Sequence, residues 1–293
     1  MSGRIRIGTA GWAYDDWSGI VYPDRPPAGF RPLAFLARWF DVVELNVTFY
    51  RPATPSMARG WLRQVEGRPD FRFTAKLHQR FTHEGKWGAE DVAEFRSGID
   101  PIHGAGRLGA LLLQLPWSFE ARPAAVERLG LLLETFGSYP CVVEVRHASW
   151  DTDEFRGWLR ERGAGLCNVD MPRSPRSVPL TAHATSRIGY LRLHGRNSRA
   201  WFDRDAGRDE RYDYLYDSHE LDELEEAALR IARQAEETHV IANNHFRGQA
   251  AATALLLRRR LLGETPEVPE RLADTYPELR AACRVTGQRS LFG

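Results

Sequence analysis

Eight short β-rich runs, most of them separated by segments of helical period, constrain this chain more than any other feature. They are IRIGTAG (5–11), VVELNVTFY (42–50), FRFTAKLH (71–78), GALLLQLP (109–116), CVVEVRH (141–147), AGLCNVD (164–170), IGYLRLHG (188–195) and THVIANNH (238–245). Between them, Phe30–Phe40 carries Pro32 near its start, a favoured first helical position. Met57–Val65 follows Thr54-Pro55-Ser56, a capping sequence. Pro123–Phe136, Asp153–Arg162 and Leu221–Glu237 are amphipathic at helical spacing, and Gln249–Leu262 has an Ala/Leu face that stops before Gly263. Strands that alternate with helices build parallel sheet from βαβ units. Eight of them within about 245 residues predict an α/β chain folded as a (β/α)8 TIM barrel. A doubly wound open sheet is the alternative, but GTAGWAY lacks the G-x-G-x-x-G turn that fold favours after its first strand. Met171–Arg187 is rich in Pro and Ser, so one barrel helix is expected to be degenerate there, and 195–223 is a long loop after strand seven. The organisation expected is one barrel domain over 1–263 and a loosely packed, Pro- and Glu-rich extension over 264–293.

The 293 residues are 43% hydrophobic, enough for one large core or two small ones. Lys and Arg number 40 against 39 Asp and Glu, a balance that argues against a surface built mainly to grip nucleic acid, though not against a local basic cleft. Cys141, Cys167 and Cys283 are odd in number and form no CxxC pair, which argues against a disulfide framework or a cysteine zinc site. No apolar run approaches a membrane span and no signal-type segment opens the chain, so no membrane association is expected and a cytoplasmic protein is.

A TIM barrel fills its lower interior with apolar side chains and places its active site at the carboxyl ends of the strands. Polar groups gather at those ends here: Glu44 and Asn46, Lys76 and His78, Gln114, Glu144 and Arg146 with His147, Asp170, Arg192 and His194, then Asn243, Asn244 and His245. Several pairs are two apart and therefore share a strand face. Glu44, Glu144 and Asp170 balance Lys76, Arg146 and Arg192, so buried ions can pair off.

ELNVTFY, FRFTAKLH, LLLQLP, EVRHASW, YLRLHG and ANNHFRGQA, in this order, resemble the YecE-like family, domain of unknown function 72, from about Ile5 to about Leu262. The resemblance implies a TIM-barrel fold and no established activity. By motif position it implicates Glu44, Asn46, Lys76, Gln114, Glu144, Arg146, Arg192, His194, Asn243 and Asn244. The barrel is broadly similar to those of endonuclease-IV-like and xylose-isomerase-like enzymes, an analogy of fold alone.

The cations and the amides of Asn46, Gln114, Asn243 and Asn244 suit a phosphate- or carboxylate-bearing ligand. Glu44, Glu144 or Asp170 is the expected general base and His194 the acid or shuttle, with Lys76 either a point charge or a Schiff-base amine. No organic cofactor is expected. A divalent metal stays open, because His78, His194, His245 and the three acids are competent ligands, yet no HxxxH or HxH pairing is present. His83, His103, His183, His219 and His239 read as surface or core-edge residues. GWAYDDWSGIVYP (11–23), with Trp12, Tyr14, Trp17 and Tyr22, reads as a hydrophobic cap on the barrel edge or as a loop that shapes the site. The loop after strand seven interleaves Trp201, Phe202, Tyr212, Tyr214 and Tyr216 with Arg196, Arg199, Arg204, Arg208 and Arg211, a mixture that stacks bases and holds phosphates or pairs with its own acids. Gln288, Ser290, Leu291 and Phe292 match four of the five positions of a motif that docks on the bacterial sliding clamp, with Arg289 departing from it. The leading expectation is thus a barrel enzyme doing acid/base chemistry on a phosphate-bearing substrate, nucleic acid first. The alternatives are a sugar or sugar-acid isomerase, lyase or hydrolase, and a non-catalytic ligand-binding protein. Arg192→Ala and Glu144→Gln are expected to abolish function with little effect on stability.

Overall fold

In a computed structural model, which describes residues 3–203 and 205–286, the eight barrel strands close in sequence order. The first, β1 (Arg4–Ala10), is followed by α1 (Pro32–Leu36), β2 (Val42–Leu45), α2 (Val47–Tyr50) and α3 (Pro55–Gln64). Then come β3 (Arg72–Lys76), α4 (Ala89–Gly104), β4 (Leu108–Gln114), α5 (Pro123–Phe136), β5 (Cys141–Glu144) and α6 (Asp153–Glu161). β6 (Gly165–Asp170) and β7 (Ile188–Leu193) follow with no helix between them, as the composition of 171–187 predicts. The long loop holds α7 (Ser198–Trp201) and α8 (Arg208–Arg211) before α9 (Ser218–Ala232), β8 (Glu237–Ala242) and α10 (Gln249–Leu262). All ring pairings are parallel, and β8 closes on β1 with Arg4 opposite Glu237.

The caps are those the sequence offers. Thr54 accepts the Met57 amide at the start of α3, Thr152 does the same for Phe155 in α6, and Asp217 and Glu220 cap α9 reciprocally. Gly263 ends α10 at φ 67°, in the left-handed region. Two predicted elements differ. The run 42–50 is a strand only to Leu45, because Thr48 puts its hydroxyl 2.7 Å from the carbonyls of both Leu45 and Lys76 and the chain turns into α2. Helix α4 has no counterpart among the predicted segments; Gly98 and Pro101 interrupt its pattern.

The barrel interior is layered. At the amino-terminal end Arg6 pairs with Glu237 at 3.0 Å, and His239, expected near the surface, is instead fully buried 3.3 Å from the same carboxylate. Above them lies an apolar layer that includes Val42, Leu112, Val142, Cys167, Val169, Tyr190 and Ile241. Residues 264–286 are not loose. β9 (Glu267–Pro269), α11 (Glu270–Thr275), α12 (Leu279–Ala282) and β10 (Arg284–Thr286) bury Val268, Leu272 and Leu279 in the same core as α10, because apolar residues recur there among the acids. The clamp-like residues Gln288, Ser290, Leu291 and Phe292 lie outside the described residues. Among the described residues no helix is long and apolar enough to cross a membrane.

Closure of the ring brings β1 hard against β2. A Cβ on Gly8 would lie 1.7 Å from the Val42 carbonyl oxygen, a backbone atom with no rotamer to yield. A Cβ on Gly60, inside α3, would meet nothing outside its own helix backbone nearer than Arg63 Nη2, at 3.8 Å. Gly60→Ala is therefore expected to match or exceed the wild-type melting temperature, by up to about 1 kcal/mol of helix propensity. Gly8→Ala is expected to yield little folded protein, read by circular dichroism melting of the two variants side by side.

Candidate active site

The carboxyl end of the barrel is organised by one guanidinium. Arg192, on β7 and 1% exposed, donates through Nε and Nη2 to both oxygens of Glu44 on β2, at 3.0 and 2.6 Å. Its Nη1 donates to Glu144 Oε2 of β5 at 3.0 Å and to Gln114 Oε1 of β4 at 3.2 Å. Arg146 grips the other oxygen of Glu144 through Nε and Nη2, at 2.8 and 2.7 Å. Tyr190, one inward step below Arg192, places its hydroxyl 2.9 Å from Glu44 Oε2 and 2.9 Å from Thr74 Oγ1. Two fully buried carboxylates thus meet two guanidiniums, the fork geometry that makes a desolvated pair tolerable. Burial works to raise the Glu144 pKa, but Arg192 and Arg146 hold it well below the ordinary carboxylate range.

His194 completes this layer in a neutral form. Burial, with Arg146 next, pushes its pKa down to about 3. Asn243 Nδ2 lies 2.9 Å from His194 Nδ1, while Nε2 lies 3.4 Å from Glu144 Oε1, 3.4 Å from Arg146 Nη2 and 3.5 Å from Arg192 Nη1. The imidazole sits against Glu144, and in its uncharged form it is a weak acid for the acid or shuttle role expected of it. Glu44 and Glu144, expected as bases, are likewise occupied by arginine.

Above the ion layer a cavity of about 320 Å³ opens at the barrel mouth. Lys76, Gln114, Arg192 and Asn243 form its floor with Asn46 at one side; Trp12, Tyr14, Tyr50, Tyr212 and His245 are its walls. The segment 11–23, expected as a cap on the barrel edge, supplies wall residues too, with Tyr14 stacked on His245 at 4.5 Å between ring centroids. Lys76 is 7% exposed, and its Nζ stands 4.1 Å from the centroid of the Phe49 ring. Among the described residues no carboxylate lies within ion-pair distance of that amine. Burial, reinforced by the Arg192 charge, lowers its pKa to about 7. Asn46 Oδ1 is buried with no hydrogen-bond partner among the described residues. A second hollow, of about 650 Å³, adjoins the first across Tyr212 and is lined by Trp117, Arg146, Trp201, Phe202, Asp203 and Arg211.

Two predicted site residues face elsewhere. Asp170 is out of step with the inward Cys167 and Val169, and it is taken by Arg196 at 2.8 Å and Tyr216 at 2.7 Å. Asn244, next to the inward Asn243, donates to the Tyr214 carbonyl and to Thr253 on α10. Of the histidines considered as metal ligands, His245 is in the cavity wall, and His78 accepts the Arg80 amide. Among the described residues no group of three or more His, Cys, Asp or Glu is arranged to hold a metal ion, and the acids nearest the cavity, Glu44 and Glu144, are committed to arginine.

The chain matches the family described as "Protein of unknown function DUF72" over residues 6–277, and it belongs to that family. It is 28% identical over 268 residues to the UPF0759 protein YunF of Bacillus subtilis, covering 84% of this chain and 91% of that one. It is 32% identical over 174 residues to the UPF0759 protein YecE of Escherichia coli, covering 57% of this chain and 59% of that protein. A crystal structure of a DUF72 family protein of Thermotoga maritima aligns with a TM-score of 0.76 at 36% identity, over 89% of this chain and all 100% of the other. One from Enterococcus faecalis aligns with a TM-score of 0.77 at 25% identity, over 89% and 96%. The family resemblance of the motifs and the barrel predicted from the strand count are both borne out.

The burial of the ion layer revises one expectation. Arg192→Ala strands two carboxylates away from water, so it is expected to lower stability by about 3–5 kcal/mol in urea unfolding instead of leaving it unchanged. Asn46→Ala removes an oxygen that no protein group uses and is expected to fall within about 0.5 kcal/mol of the parent.

Proposed function

We propose that this protein is an enzyme acting on a compact, hydroxyl-bearing small molecule, with Lys76 as the reactive base at the cavity floor. One observation carries the reading: a buried amine that faces the cavity with, among the described residues, no carboxylate in ion-pair contact, and whose pKa burial and Arg192 lower to about 7 against the pull of Glu44 and Glu144. A lysine kept only for structure would be expected beside an acid, and two acids are near at hand, yet both are given to arginines. A base is most effective when its pKa lies near the working pH. The floor amides supply hydrogen bonds, and the aromatic walls cover the C–H faces of a hydroxylated carbon chain while excluding water.

This moves the emphasis from the phosphate-directed chemistry expected first toward the small-molecule alternative. The inner cavity has no guanidinium to spare for an anion, since Arg192 is spent on Glu44 and Glu144. A second reading retains the phosphate or carboxylate: Arg146 and Arg211 line the outer hollow, where Trp117 and Trp201 offer ring faces to a larger substrate's distal end. A nucleic acid would also have to be engaged from that side. Saturation-transfer NMR against a panel of sugars, polyols, sugar acids, sugar phosphates and short oligonucleotides separates these readings. Binding of the hydroxylated compounds, weakened by Asn46→Ala, is expected. Binding of oligonucleotides alone would overturn the proposal.

The amine also leaves a thermodynamic mark. Between pH about 7 and 10.5 the unfolded chain carries a proton on Lys76 that the folded protein does not, so stability rises with pH through that window and the penalty is fully present below it. Each tenfold loss of proton affinity on folding costs about 1.4 kcal/mol. Lys76→Met should therefore be more stable than the parent at pH 7, by up to a few kcal/mol, and lose most of that advantage near pH 10.5. Urea titrations of both proteins at the two pH values read the difference; equal stabilities at pH 7 would show an ordinary lysine.

A further inference from the structure

We infer that Lys76 forms a covalent imine with the carbonyl carbon of a small hydroxyaldehyde or hydroxyketone, an inference that rests on the mouth cavity being the active site. The composition of the chain isolates this residue. Of its 40 basic residues only Lys76 and Lys86 are lysines, so positive charge is supplied almost everywhere by arginine. A position that needed only a cation would have been expected to follow that usage. What lysine offers and arginine does not is an amine that can lose its proton and attack an electrophile.

The surroundings favour that chemistry. Burial, then the fixed Arg192 cation, lowers the pKa of the amine, the arrangement that keeps a reactive lysine neutral, and these outweigh the Phe49 ring face 4.1 Å from Nζ, which favours the ammonium. Because two carboxylates offset Arg192 and Arg146, the cavity asks for no charge on its ligand. Among the described residues it offers an unengaged acceptor, Asn46 Oδ1, and a donor, Gln114 Nε2, whose amide oxygen is taken by Arg192. An acceptor at the side and a donor on the floor of one cavity suit hydroxyl groups, which need both. Carbonyl compounds that carry hydroxyls on the adjoining carbons meet all of these conditions.

The step balances with no further reagent. The Nζ lone pair forms a bond to the carbonyl carbon as the C=O π pair moves to oxygen. That oxygen gains a proton and nitrogen gives one up, leaving a neutral carbinolamine. A second proton, taken from solvent water, lets the same oxygen depart as water while the nitrogen pair forms a protonated C=N, and that nitrogen then returns one proton to solvent. Amine and carbonyl thus become imine and one water, with no change of oxidation state.

The test is reductive trapping of the full-length protein. It is incubated at pH 7 with glyceraldehyde, dihydroxyacetone, erythrose or xylose and sodium cyanoborohydride, then mapped by peptide mass spectrometry. Lys86, which is exposed, and the terminal amine serve as internal controls. At pH 7 an ordinary lysine is neutral in well under about 0.1% of molecules, so Lys76 is expected to be labelled about a hundredfold faster than Lys86 with at least one compound. Lys76→Arg should abolish that adduct and leave the slow labelling at Lys86 unchanged. Labelling of Lys76 no faster than Lys86 across the panel overturns the imine. If the same compounds still bind by saturation-transfer NMR in that case, the cavity remains the substrate site with Lys76 as a proton-transfer base; if they do not bind, both proposals fall.

Discussion

A guanidinium that reaches two carboxylates from the opposite wall of a barrel ties strands that are far apart in sequence. Arg192 on β7 holds Glu44 on β2 and Glu144 on β5 in a region with almost no water contact. Removing two anions from solvent is unfavourable, and only near-ideal geometry with every lone pair engaged makes it tolerable. The rest of the mouth follows from that requirement. Arg146 and neutral His194 complete the coordination of Glu144, Tyr190 and Thr74 serve Glu44, and Gln114 and Asn243 saturate the remaining guanidinium hydrogens. Once these groups are mutually satisfied, the amine of Lys76 is left over.

That remainder gives the network a meaning beyond stability. Well-packed apolar side chains would close a barrel mouth at least as stably as buried ions. What the ion layer does instead is present a rigid, electrically balanced platform beneath an amine that makes no ion pair of its own among the described residues. The position is fixed further by the Thr48 hydroxyl at the Lys76 carbonyl. Preorganised charge of this kind tunes a proton affinity before any ligand arrives.

Much of this was legible in the residues. The alternation of β-rich and helical segments is long-range and redundant, so the barrel survives misjudged details such as the early end of β2 at Leu45 or the unrecognised α4. Glu44, Glu144, Arg146, Arg192, Gln114 and Asn243 come together because inward positions at strand ends can hardly do otherwise. Parity also explains the misplacements. Asn243 and Asn244 are adjacent in an extended segment, so only one can face inward, and Asp170 is out of step with Val169. Which cation would be free, and which would be consumed by acids, is a matter of three-dimensional pairing that spacing does not encode. The scarcity of lysine was a readable signal for Lys76, hidden because Lys and Arg are usually counted together.

The two parts of the mouth come from different kinds of backbone. The ion layer sits on strands and their immediate ends, whereas Trp12, Tyr14, Tyr212 and His245 belong to the connections after β1, β7 and β8. Strands locked by a closed ring tolerate little alteration, but connections at its rim can lengthen, shorten or exchange their rings without disturbing what lies underneath. Change at the rim thus alters which molecules can reach the floor of the cavity while the strands and the ion layer beneath keep their arrangement.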